Sequence, residues 1–177
     1  NDGTREIAFA CWSDSLFVLK PNGTNQANFP KKLPNDMRNG PIFADLDNDG
    51  TKELLVGCID GKVYAYHHDG SNYLPGGVFA TLPGEVRCQP AVANLDGDPQ
   101  LEVVVSCWDG HLYAYNHDGT GFLAPGGRFA TVDSTGSFGH FSASPIIVDV
   151  DNDGQDEIFC GHRNGKFYGF PINGAPV

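Results

Sequence analysis

Positive charge is scarce in this chain: 11 Lys and Arg stand against 22 Asp and Glu, for a net charge of −11. That balance makes nucleic acid and anionic membranes poor partners on electrostatic grounds. No apolar run reaches 18 residues, so no segment reads as a spanning helix and no membrane insertion is expected. No signal peptide is recognisable, although a processed chain would have lost one. The five cysteines are odd in number and form no CxxC pair, so they do not read as a disulfide framework. Nucleophile-elbow and Walker motifs are absent, as are HxH and HxxxH pairs, and the chain reads as a non-enzyme. Helical periodicity is missing too. What is plentiful is glycine, with 23 residues, and proline, with 12, a composition that favours tight turns over a helical bundle. With 40% hydrophobic and 19% charged residues in 177, the balance is that of one folded domain with a real core.

The chain is a repeat. The stretch DLDNDGTKE, from Asp45 to Glu53, returns as NLDGDPQLE from Asn94 and as DVDNDGQDE from Asp149, while the chain opens on a shortened copy, NDGTRE. The closing glutamates are Glu6, Glu53, Glu102 and Glu157, a spacing of about 50 residues. A Pro and a short apolar run precede each full copy: PIFAD, PAVAN and PIIVD. After the copies come ELLVGCIDGKVYAY, EVVVSCWDGHLYAY and EIFCGHRNGKFYGF, each two β-rich runs joined by Asp-Gly or Asn-Gly. Those pairs (Asp60-Gly61, Asp109-Gly110, Asn164-Gly165) favour a type I′ hairpin turn. A second Asn-Gly or Asp-Gly follows the next strand, and a weaker strand lies in GGVFATL and GGRFATV.

Each unit therefore reads as four antiparallel strands, A to D. Units of this kind at this period predict an all-β chain of β-propeller blades, about four repeats, each needing neighbours to cover its two faces. The expected division of this single domain is a partial blade over 1–34, blades over 35–83 and 84–138, and a partial blade over 139–177. The first copy lacks strand A and the last lacks strand D, so the blades read as part of a larger or assembled ring. A four-bladed closure with an imperfect seam is the alternative.

Acids this dense repel one another, and oxygen ligands at alternate positions suit calcium. An EF-hand needs a bidentate Glu at position 12 and flanking helices. Here position 12 is Val56, Val105 or Cys160, the acid falls at position 9, and the flanks are strands. A DxDxDGxxE loop between two strands, repeated at this period, resembles the FG-GAP/VCBS repeat family. Its calcium-binding propellers occur in integrin α-subunit heads and in many secreted bacterial proteins. The GKVYAY strand also resembles quinoprotein-type propeller repeats, which lack the acidic loop.

The resemblance implies ligands residue by residue. Asp45, Asp47, Asp49 and Glu53 would bind by side chain with the Thr51 carbonyl; Asp149, Asp151, Asp153 and Glu157 would do so with the Gln155 carbonyl. The middle loop departs from the pattern: Asn94 replaces the first acid and Pro99 stands where Gly50 and Gly154 stand. Proline cannot take positive φ, so a weaker site is expected there, from Asn94, Asp96, Asp98, the Gln100 carbonyl and Glu102. Two strong Ca2+ sites and one weaker site result, while the first loop, with only Asp2 and Glu6, is expected to be empty. Turn chemistry alone also accounts for Asp, Asn and Gly in such loops, and repetition favours the metal.

Cys11, Cys58 and Cys107 share one slot and read as buried free thiols, since equivalent positions on neighbouring sheets lie too far apart for a disulfide. Trp12 and Trp108 share the next slot, which also holds Ile59 and Arg163. Indoles there either pack on the adjacent blade or stack on a ligand such as a sugar. His140 lies in SFGHFSAS, the longest departure from the repeat, and residues 137–142 form a candidate binding loop. Trp12, Trp108, Arg163 and His140 are thus the candidate ligand-binding residues. The expectation is a calcium-stabilised binding or adhesion module, extracellular or periplasmic, for a protein or glycan ligand. Two further readings stay open: an accessory or catalytic domain of a secreted polysaccharide-acting enzyme, and a structural propeller piece that self-associates to complete a ring.

Overall fold

Alternating and continuous runs of β-branched and aromatic residues, cut by Gly-containing turns, fold into fourteen short strands and one three-residue 3-10 turn at Pro75–Gly77 among the described residues. The computed structural model describes residues 5–131 and 140–172. Asp2, residues 137–139 of the candidate loop and the Asn173-Gly174 turn lie outside them.

The strands form four antiparallel sheets in chain order. Sheet 1 is β1(Ile7–Ala10), β2(Ser15–Leu19) and β3(Lys31–Lys32); sheet 2 is β4(Ile42–Ala44), β5(Glu53–Cys58), β6(Lys62–Tyr66) and β7(Val78–Thr81). Sheet 3 is β8(Ala91–Ala93), β9(Glu102–Ser106), β10(His111–Tyr115) and β11(Arg128–Thr131); sheet 4 is β12(Ile146–Val148), β13(Glu157–Gly161) and β14(Phe167–Pro171). Each is a meander in which consecutive strands pair. Sheets 2 and 3 have all four strands. Among the described residues sheet 1 has no strand before β1, and sheet 4 has none after β14.

Three apolar cores hold the sheets together, one between each successive pair. Leu16 and Val18 of sheet 1 meet Leu54, Val56, Tyr64 and Tyr66 of sheet 2. Leu55, Val63 and Ala65 on the other face of sheet 2 meet Val103, Val105, Tyr113 and Tyr115 of sheet 3. Val104, Leu112 and Ala114 then meet Ile158, Cys160 and Phe170 of sheet 4. Every residue of β5 and β9 is consequently buried, which is why those strands read as continuous apolar runs rather than alternating ones. β1 alternates between half-buried and exposed, because only one of its faces is covered.

The hairpin turns differ from the type I′ expectation. In the Asp60-Gly61 and Asp109-Gly110 turns only glycine takes positive φ, +84° at Gly61 and +91° at Gly110. Cys58 pairs with Lys62, leaving a three-residue loop closed by the Gly61 N–H on the Cys58 carbonyl (3.2 Å): a type I turn followed by a left-handed glycine. The reason lies in the aspartate. Asp60 accepts the Lys62 N–H at 3.1 Å and the Tyr64 hydroxyl at 2.7 Å, and Asp109 does the same for His111 and Tyr113. These bonds hold the aspartate out of the positive-φ conformation that a type I′ turn requires.

Candidate metal centres and a stacked aromatic site

The repeated acids lie on the connections from β4 to β5, β8 to β9 and β12 to β13. The last residue of each nonapeptide opens the next strand and turns inward, so Glu53 and Glu102 are almost wholly buried and Glu157 nearly so. Each uses one carboxylate oxygen to accept the N–H of the loop's second residue: Leu46 at 3.0 Å, Leu95 at 2.7 Å and Val150 at 3.0 Å. That bond fixes the glutamate against the loop it closes.

In the first and third full loops, position 1 folds the chain back. Asp45 accepts the N–H groups of Asp49 and Gly50, both at 3.0 Å, and Asp149 accepts those of Asp153 (3.2 Å) and Gly154 (3.0 Å). Asn48 and Asn152 take the left-handed conformation that the sharp turn needs, as do Gly50 and Gly154. The result brings Asp45, Asp47 and Glu53 together in one loop and Asp149, Asp151 and Glu157 in the other, each with carboxylate oxygens within 4.8 Å of one another. Asp49 and Asp153, at position 5, instead accept the N–H of Thr51 (2.7 Å) and Gln155 (2.8 Å). The hydroxyl of Thr51 adds to the first of these and holds the Asp49 carboxyl below its ordinary value.

The middle loop is built differently, and Pro99 is the reason. With no N–H at that position, Asn94 cannot make the second of the two bonds that Asp45 makes. Its side chain turns inward on its own loop, accepting the Gly97 N–H at 2.6 Å and donating to the Asp98 carbonyl. Gly97 (φ +83°) occupies the slot of Asn48 and Asn152. The acids brought together here are Asp96, Asp98 and Glu102, at positions 3, 5 and 9.

Electrostatically these clusters are unbalanced. Burial pushes the Glu53 and Glu102 carboxyls above their ordinary values; the Asp47 charge adds to the rise at Glu53, and those of Asp96 and Asp98 at Glu102. The backbone bonds from Leu46 and Leu95 pull the other way, with less effect. His67, which sequence reasoning did not single out, sets its Nδ1 3.3 Å from Glu53. Three oxygen donors converging on one point, one of them desolvated, are a donor set that a hard cation satisfies. Beside the first of these loops a cleft of about 680 Å³ runs between sheets 1 and 2, lined by Phe29, Phe43 and Leu54 together with Arg5, Lys52 and His68.

The second group lies by the hairpin turns. Trp108, His140 and Arg163 come together, with Arg87, which the sequence reading passed over. The His140 ring stacks on the Trp108 indole at 3.6 Å between centroids, and the Arg87 guanidinium lies 3.8 Å from the same centroid. Two planar groups that close must occupy opposite faces of the indole. Arg163 sits 5.8 Å from the indole and its guanidinium 3.4 Å from His140 Nε2. Burial and then the Arg163 charge hold the His140 pKa down, so the imidazole stacks neutral at pH 7. Backbone bonds fix the geometry: the Trp108 N–H donates to the Glu85 carbonyl and the Arg163 N–H to the His140 carbonyl, both at 3.0 Å. Glu85 in turn pairs with Arg87 Nε. The signal for Arg87 was in the repeat, since Arg38 and Arg87 each precede the blade-opening proline by the same interval. Trp12 is apart from this group. It is 73% exposed, with the Arg38 guanidinium 5.4 Å from its ring. Of the cysteines, Cys58, Cys88, Cys107 and Cys160 are buried free thiols, and Cys11, on the half-covered sheet 1, is partly exposed.

Known structures of similar shape are propellers or are built from the same kind of sheet. The V. cholerae biofilm matrix protein Bap1 aligns over 100% of this chain and 28% of its own (TM-score 0.64, 19% identity). BBS1N, solved in complex with ARL6DN, aligns over 99% of this chain and 48% of its own (0.65, 16%). The computationally designed Ika4 protein aligns over 94% and 85% (0.58, 14%). The chain thus spans about a quarter of Bap1 and about half of BBS1N, and at these identities the likeness concerns the fold alone. A search of curated protein sequences finds no match. The sequence profile of the FG-GAP-like repeat matches twice, over residues 45–105 and 94–160, each match running from one acidic loop through the next. With the nonapeptide loops, the four-stranded sheets and this double match in hand, the chain belongs to the FG-GAP-like repeat family.

Proposed function

We propose that this chain is a calcium-stabilised β-propeller module that works outside the cytoplasm by binding a protein or glycan partner, without catalysis of its own. The observation that carries the reading is the threefold recurrence of converging acids on the same strand connection. One such cluster is an ordinary solvated turn; three in register, each closed by a buried glutamate, describe a repeated cation site. Ligation would come from Asp45, Asp47 and Glu53, from Asp149, Asp151 and Glu157, and more weakly from Asp96, Asp98 and Glu102. Calcium at extracellular concentrations suits sites of modest affinity, which supports a secreted location.

For the ligand, both faces of Trp108 are already occupied by its own protein, while Trp12 offers an open indole beside a guanidinium. A planar or sugar-like group would stack on Trp12. Calorimetric titration of the chelated chain with calcium tests the metal half of the proposal. Two stronger sites and one weaker are expected, with Asp45→Asn and Asp149→Asn each removing one strong site; no heat of binding at millimolar calcium would refute it. A glycan array and a pull-down with immobilised chain test the other half, where binding abolished by Trp12→Ala is the expected result.

A further inference from the structure

The two outer faces of the molecule repeat, position by position, the two sides of its internal interfaces. Every internal interface has the same construction, counted from the glutamate that opens the second strand of each complete blade. The sheet that follows contributes the residues one and three beyond its glutamate, with two large side chains from the next strand: Leu54, Val56, Tyr64 and Tyr66 in sheet 2, and Val103, Val105, Tyr113 and Tyr115 in sheet 3. The sheet that precedes contributes the intervening positions, such as Leu55, Val63 and Ala65, or Val104, Leu112 and Ala114.

Counting from Glu6 places Ile7, Phe9, Phe17 and Leu19 of sheet 1 in the first set. Strand register puts them on one face, with Ile7 opposite Leu19 and Phe9 opposite Phe17. Counting from Glu157 places Phe159, Phe167 and Gly169 of sheet 4 in the second set, beside Ile146, which pairs with Phe159. Among the described residues neither face is covered. Ile7 and Phe167 are each 65% exposed and Ile146 is 55% exposed. Both faces are nonetheless ordered by their own stacking, Phe9 on Phe17 at 5.1 Å and Phe159 on Phe167 at 5.6 Å, each nearly parallel. Phe159 also lies flat over Gly169, where a Cβ would meet its ring at 2.6 Å. Among the described residues no core joins sheet 4 to sheet 1.

We propose that two copies of this chain associate head to tail, sheet 4 of each on sheet 1 of the other, and close an eight-sheet ring. Exposed apolar faces of this size favour burial. A surface that carries both the giving and the receiving half of one interface is complementary to a second copy of itself. Head-to-tail contacts close when the rotation allows, and eight sheets lie within the range of propeller rings. The direction of every sheet is preserved, so the acidic loops of both copies fall on one side of the ring.

Light scattering and sedimentation of the purified chain in calcium provide the test. The expected mass is twice the 19.0 kDa of one chain. Phe9→Asp and Phe167→Asp each remove one half of the interface and should each give the single-chain mass with an unchanged far-ultraviolet spectrum. Mixing the two variants should restore the doubled mass, because the intact sheet 4 of one meets the intact sheet 1 of the other. If either aspartate prevents folding, Ile7→Asp and Ile146→Asp replace it, since both residues are exposed. A single-chain mass at all concentrations overturns the proposal. So does a Phe167→Asp variant that stays double, which would mean that like faces pair, and so does an open-ended polymer, which would mean that the ring does not close.

Discussion

Replacing Glu53 by glutamine should raise the melting temperature when calcium is absent and cut the gain when calcium is added. The carboxylate is wholly buried, and two more carboxylates converge on it from Asp45 and Asp47. The carboxylate oxygens lie within 4.8 Å of one another, and at that distance one pair of unit charges repels by about 0.9 kcal/mol at the dielectric of water and about 3.5 kcal/mol at an effective dielectric of 20. Asp45 and Asp47 are half-exposed, so the screened figure applies, and two pairs give about 2 kcal/mol. Glutamine keeps an oxygen for the Leu46 N–H, so that bond survives the change. For a chain of this length each kcal/mol moves the midpoint by about 2–4 °C, and the expected rise in chelator is about 4–8 °C.

Calcium reverses the roles. A site with Kd near 10⁻⁴–10⁻³ M, in 10 mM calcium, stabilises by about 1.4–2.7 kcal/mol, and two intact loops give about 3–5 kcal/mol, or about 6–20 °C. The glutamine variant should show roughly half that increment. Calorimetry at pH 8 with chelator and with calcium, on both proteins, supplies the four midpoints. If the acids merely decorate a solvated turn, the glutamine variant melts lower in chelator, having lost a charged acceptor, and both proteins respond to calcium alike. That pattern would refute the electrostatic reasoning. A pH series adds a sign. Burial raises both Glu53 and Glu102, so their contribution to the metal-free fold is complete below the ordinary value of 4.5 and is lost as pH rises through the folded values. In chelator the midpoint should therefore fall as pH rises above 4.5, and saturating calcium should flatten that slope.

Other perturbations probe the packing. Trp108→Ala removes a guanidinium stack and an imidazole stack and should cost about 1–3 kcal/mol by urea denaturation, whereas Trp12→Ala should stay within about 0.5 kcal/mol. Gly23→Ala and Gly119→Ala compare one turn position at the same φ of +79°. An added Cβ meets nothing at Gly23 but comes within 2.5 Å of the Phe79 carbonyl of the neighbouring sheet at Gly119. The first should cost about 1–2 kcal/mol for the left-handed backbone alone, and the second clearly more. Thiol titration of the native chain at pH 8 should modify Cys11 first. Burial pushes Cys58 up to about 11 and Cys107 and Cys160 up to about 12, so they should react only on unfolding.

Periodicity carried most of the fold because in this architecture each sheet contacts only its neighbours. Strand order, the four-stranded unit and the inward glutamates all follow from a repeat of about 50 residues, since equivalent positions must meet equivalent surroundings. Local backbone chemistry was less legible. The Asp-Gly pairs suggested a type I′ turn, but Asp60 and Asp109 spend their carboxylates on the strand that follows, a choice made by Tyr64 and Tyr113 four residues away. The middle loop shows the same limit. Pro99 announced that the backbone must differ there, but which acids would converge depended on where Asn94 turned once its second N–H partner was gone.

The stacked site was the hardest to foresee, because its members come from four connections. Trp108 and Arg163 follow the second strands of sheets 3 and 4, while Arg87 and His140 lie on the loops that lead into those sheets. The repeat placed Trp108 and Arg163 in one slot, which in a single blade implies equivalence and in a ring implies proximity across an interface. Read that way, a slot that changes from indole to guanidinium between adjacent sheets is a contact between them. The Trp108–Arg163 separation of 5.8 Å follows from the same neighbour rule that builds the three cores. By that rule Trp12 looks to sheet 2, where the slot holds Ile59 and the Arg38 guanidinium lies 5.4 Å from its ring; left 73% exposed, it is the indole whose fluorescence a stacking ligand should quench or shift, where Trp108 would change little.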